Sequence, residues 1–74
     1  MSTSDEVRRT ALDLAQRGAN TDAAVLEILD CCGDHRVSLV VARQGLAEHT
    51  EANDGVIARA TEILDLALER GTWA

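Results

Sequence analysis

In the final third of the chain, DGVIARATEILDLALERG, the apolar residues Val56, Ile57, Ala60, Ile63, Leu64, Ala67 and Leu68 recur every three or four positions. On a helix they fill an arc of about 140°, a stripe that can be buried on one side; a strand, with its period of two, would split them between faces. Glu62, Asp65, Glu69 and Arg70 take the opposite side, and Leu66 is left among them. The pattern predicts a helix over about 54–70, opening near Asn53 or Asp54 and closing before Gly71, with Trp73 just beyond.

The same period appears three times upstream. In STSDEVRRTALDLAQRG, Val7, Ala11, Leu14 and Ala15 share one stripe, and Arg9, Asp13 and Arg17 stand four apart on the outside, where opposite charges meet. Thr3 with Glu6, or Ser2 with Asp5, has capping-box spacing, and Gly18 suits the C-terminal cap. This gives a helix over about 4–17. Asn20 or Thr21 caps a second helix over about 21–32, with Ala24, Val25, Ile28, Leu29 and Cys32 inward and Glu27 and Asp30 outward. Cys31 stands at the stripe's margin, about 100° from Cys32.

A third helix is expected over about 35–49, with Asp34 as a candidate N-cap. Its start, RVSLVVA, has high strand propensity, but a single strand without a partner would leave its backbone groups unpaired. On this helix Val37, Val40 and Val41 point one way and Leu39, Ala42 and Leu46 nearly the other. A helix apolar on two sides is expected to be buried on two sides, inside its own bundle or against another chain. The fold class that follows is all-α: one domain, residues 1–74, built as a compact bundle of four short helices joined by short turns.

Composition now sharpens the argument. The chain has 74 residues and no Phe, Tyr or Pro, and Trp73 is its only aromatic. Its core must be made of Leu, Val, Ile and Ala, which bury little area each. A domain this short hides only about 60% of its unfolded surface. Small domains without aromatics, disulfides or metals often complete their stability with a partner or a second copy. All the basic residues are Arg, and Ala, Val and Asp are abundant, the usage of a GC-rich bacterial genome. A formal charge of -6 argues against nonspecific attraction to phosphate backbones or anionic membranes. No apolar run approaches the roughly 18 residues of a membrane span, and MSTSDEVRRT lacks a signal-peptide core. The expected location is the cytoplasm, with thiols reduced.

The stretch DCCGDH, residues 30–35, looks most like chemistry. Read with its flanks, it is the end of one helix, a Gly cap and the start of the next. Cys32 is then a small core residue, and Cys31 is the candidate reactive thiol, since it lies near the N-terminus of the third helix. A zinc site needs four ligands, usually paired as Cys-x2-Cys and His-x3-His; two adjacent Cys with Asp34, His35 and His49 do not supply that spacing. No nucleophile, base and carboxylate stand in a spacing that demands a triad, and there is no Gly-rich phosphate loop. No catalytic, cofactor-binding or metal-binding residue is therefore assigned, and the chain is expected not to be an enzyme.

Two local resemblances qualify this. Ser38-Leu39 in GDHRVSLVVA is similar in position to the Asp-Ser-Leu attachment motif of acyl carrier proteins, small acidic four-helix domains; Val37 stands where that family has Asp. ILDCCGDHRVSLVVARQGL, within residues 24–46, resembles a DNA-binding helix-turn-helix, which would put Arg36 and Arg43 on a recognition helix. That helix here carries Val37, Leu39, Val40 and Val41 where a polar reading face is needed. The basic doublet Arg8-Arg9 balances Glu6 and Asp13. The function the sequence favours is a non-enzymatic acidic protein–protein interaction module, a regulator, adaptor or inhibitor that self-associates as a homodimer. Its acidity would also suit imitation of a nucleic acid on a partner protein. The candidate interface residues are Val37, Val40, Val41, Leu66 and Trp73.

Overall fold

A computed structural model describes residues 3–33, 35–48, 54–71 and 73. Four helices follow in order: α1 (Thr3–Arg17), α2 (Thr21–Cys32), α3 (Arg36–Ala47) and α4 (Asp54–Arg70). The strand-prone RVSLVVA is helical, and no strand occurs among the described residues. Ser2, Asp34, His49 and Asn53, named above as caps or ligands, lie outside them.

The turns follow local chemistry. After α1, Gly18 takes φ 67°, its N–H donates to Ala15 O at 3.3 Å, and the Ala19 N–H donates to Leu14 O at 3.1 Å. This pair of bonds is the Schellman closure, and its left-handed residue is most cheaply a glycine. Two residues later the Asn20 side chain accepts from the N–H groups of Asp22 and Ala23, at 3.0 and 3.3 Å, and starts α2. Gly33, at φ 61°, ends α2 with its N–H on Leu29 O at 3.0 Å. His35 occupies the N-cap position of α3, whose helix begins at Arg36 and closes at Glu48.

α1 and α4 form the centre, each touching all three other helices, while α2 and α3 lie on either side and meet each other only lightly. Each helix gives the core at least one alanine: Ala11, Ala24, Ala42, Ala60 and Ala67 are all buried. Small side chains of this kind allow neighbouring helices to pack closely. Between them sit Val7, Leu14, Val25, Ile28, Leu39, Leu46, Ile63 and Leu64. No polar or charged side chain is buried among the described residues.

Arginines on α4 pin the α1–α2 turn. Arg59 donates to Ala19 O at 3.3 Å and to Thr21 Oγ1 at 2.6 Å, and Arg70 donates to Asp22 Oδ1 at 2.8 Å. On the outside, Asp13 pairs with Arg17 at 3.1 Å and Arg8 with Asp5 at 3.6 Å, a solvated network for the basic doublet's first member.

Two expectations change. Within its own bundle α3 is buried on one side only: α1 and α4 hold the centre, and its Leu39, Ala42 and Leu46 side faces inward. Leu66, expected on the charged outer face, is half-buried and packs against the core cluster, because α4 is flanked by α2 and α3 as well as by α1 and so buries a wider arc. Leu29, expected on the apolar face of α2, is half-buried there and packs against the core cluster.

Candidate interaction surface on the third helix

Val37 and Val41 are 73% and 45% exposed, while Leu39 and Leu46, on the other side of α3, are fully buried. Val40 lies between them, half-buried. Successive steps of three and four residues carry the same face onward to Gln44 and Glu48, both exposed. The surface is thus apolar over its first two turns and polar at its end. Valine is also a costly choice for an exposed helix position, since its β-branch is stiff and lowers helix propensity. Solvent contact alone gives no reason for the two exposed ones, Val37 and Val41.

Arg36 and Arg43 flank the face. The guanidinium Nε of Arg43 hydrogen-bonds to Asp65 Oδ1 on α4, closing the seam between the two helices. Gly45 lies under the Arg8 side chain of α1, where an added Cβ would meet the Arg8 Cδ at 3.4 Å. That is ordinary contact with a flexible side chain, so the α1–α3 seam has room for an alanine there.

Of the five residues expected to form an interface, the structure brings together the three valines. Leu66 packs inward. Trp73 folds back on α4: it is half-buried against the core, and its indole N–H donates to Leu68 O at 2.9 Å. One exposed apolar side chain escaped the sequence reading. Leu26, on α2, is 68% exposed between acids at Asp22 and Asp30, one turn either way. Its wheel position, about 200° from Ala24, was the available signal.

The cysteines end α2 as separate groups. Neither thiol is in a disulfide. Cys32 is 3% exposed, and its Sγ donates weakly to Leu29 O and Gly33 O at 3.7 and 3.6 Å. Cys31 is half-buried at the core's edge. Among the described residues no three or more His, Cys, Asp or Glu side chains gather as a metal site. No described helix is long and apolar enough to cross a membrane. Searches of protein families, curated proteins and solved structures find no match to this chain.

Proposed function

We propose that this chain is a non-enzymatic interaction module, a small acidic regulator, adaptor or inhibitor, whose contact surface is the Val37–Val40–Val41 face of α3 and which self-associates through it. One observation carries the reading: a helix whose inner side is fully buried turns two valines, 73% and 45% exposed, to the outside. Covering them releases about 25 cal/mol per Å² of apolar surface, and the helix needs no rearrangement to do so. Adjacent Cys31 and Cys32, neither in a disulfide, suit a reducing compartment, and together with the all-Arg basic composition they lead us to place the chain in the cytoplasm of a bacterium.

The helix-turn-helix alternative has less support. Arg43 is engaged by Asp65, and the outward face of α3 is apolar where a reading helix needs hydrogen-bonding groups. A salt-sensitive shift of duplex DNA, lost on Arg36→Ala, would favour it. A photo-crosslinking side chain at position 37 of the full chain, used in its native cells, tests the proposal directly. It is expected to trap one discrete protein, whereas the same group at position 13, on the outer face of α1, traps none. Equal, diffuse labelling at both positions would overturn the interaction reading.

A further inference from the structure

α1 carries end charges in the sense its own dipole favours at both ends, while α2 and α4 each do so at one end and also hold an acid, Asp30 or Glu69, in the last turn. α1 opens with Asp5 and Glu6 and ends with Arg17, α2 opens with Asp22, and α4 ends with Arg70. α3 is reversed. It has no acid in its first turn and no base in its last; it begins with Arg36 and is capped by Glu48. Each of these two charges opposes the helix macrodipole. α3 is also the one helix of the four in which bases outnumber acids, in a chain with 13 acidic and 7 basic residues. Since Arg43 is taken up by Asp65, Arg36 and Glu48 are left at opposite ends of the valine face.

Charges misplaced for one α3 are well placed for a second α3 running the other way. We infer that the valine face packs against the same face of a second copy, antiparallel, about a two-fold axis near Val41. The inference rests on the interaction reading above and adds to it the occupant's direction and register. At about 1.5 Å rise per residue, such an axis puts Arg36 about 3 Å along the helix from the partner's Glu48, within reach of a guanidinium. By symmetry the contact is made twice. Arg36 then approaches the negative C-terminal end of the facing helix, and Glu48 its positive N-terminal end. Two valines cross at the centre of each copy's face. Three valines fall well short of the roughly 800 Å² per partner of a standard interface, so the dimer is weak and forms at high concentration.

Sedimentation equilibrium with charge reversal tests this. Arg36→Glu and Glu48→Arg each bring α3 into line with its own dipole, so both variants are expected to fold at least as well as the parent. For the parent, the mass should climb from 7.9 kDa toward twice that value as concentration rises from micromolar to millimolar. Each single reversal should weaken association about fivefold, since two exposed ion pairs per dimer become repulsive. The double variant should return to within about twofold of the parent, because the pair is restored with its signs exchanged. A mass of 7.9 kDa at every concentration overturns the second copy as occupant; a foreign adduct from position 37 would then still uphold the interaction surface. A dimer indifferent to both reversals, or not rescued by the double variant, overturns the antiparallel register.

Discussion

Trp73 lies over Gly71 so closely that a Cβ on that glycine would stand 2.2 Å from the indole ring. The contact lets the indole N–H reach Leu68 O at 2.9 Å. That carbonyl belongs to the last turn of α4, one of the four C=O groups that a helix end leaves without an intrahelical donor. The chain's one aromatic residue thus serves as a side-chain cap for its longest helix. Gly71→Ala should expel the ring, shift the tryptophan emission to the red and lower stability by about 1–2 kcal/mol through the lost bond and packing. With a single Trp, fluorescence reads this site alone. An unchanged emission maximum would show that the ring is not held there.

Arg59 supplies the second test. Its guanidinium bonds to Ala19 O and Thr21 Oγ1 join α4 to both sides of the α1–α2 turn. Arg59→Met keeps most of the stem and removes the donors, at an expected cost of about 1–2 kcal/mol in urea denaturation. Lys should recover only part, since one ammonium cannot match the planar fork. Asn20→Ala, which removes the α2 cap, should cost about 1 kcal/mol. Asn20 sits between the two Arg59 acceptors, so the double variant should depart from additivity. Strict additivity would mean that the turn is not held as a unit.

The adjacent cysteines should behave as two different groups. Cys31 is half-buried at the edge and Cys32 is sealed, so alkylation of the native protein should modify Cys31 first and reach Cys32 only at the rate of unfolding. Mass spectrometry of timed samples distinguishes the sites. Protein purified without added metal should carry no stoichiometric zinc, and replacing both cysteines should leave its metal content unchanged. Cys32→Ser should cost about 1 kcal/mol, because the hydroxyl can take over the Leu29 O bond and is not left unpaired. Equal alkylation rates at the two thiols would contradict the burial described.

The helices were legible because their signals are local. Gly18, Asn20 and Gly33 punctuate the chain with residues whose backbone or side chain closes the turns seen, and the stripe of α4 identified Ala60, Ile63, Leu64 and Ala67 as core. Which helices would be central was not legible, since periodicity shows the width of a stripe and not how many neighbours will cover it. Leu66 is the example: on a wheel it stands among charges, yet α4 at the centre gathers it in. Trp73 is another, because its fold-back depends on a glycine two residues earlier and on a carbonyl of the last turn of α4, an arrangement without a periodic signature. The valine face was visible as surplus apolar surface, while the reversed end charges of α3 acquire meaning only once that face is seen to point outward.

The two sides of α3 give the last prediction. Leu39 and Leu46 are fully buried against the central helices, whereas Val37 and Val41 are 73% and 45% exposed. Leu39→Ala or Leu46→Ala should destabilise the monomer by about 2–5 kcal/mol, the transfer cost plus that of a cavity that the surrounding alanines cannot collapse to fill. Val37→Ser and Val41→Ser should each change monomer stability by no more than about 0.5 kcal/mol, since they remove little buried area. The same two substitutions should weaken association, because contact area is what they do remove. Thermal denaturation at micromolar concentration, where the monomer prevails, measures the first effect, and sedimentation at millimolar concentration the second. If the serine variants unfold as readily as the alanine ones, the valines belong to the core and the surface assigned to α3 is wrong. If folding and association are both untouched, the valines are bystanders and the contact lies elsewhere on the bundle.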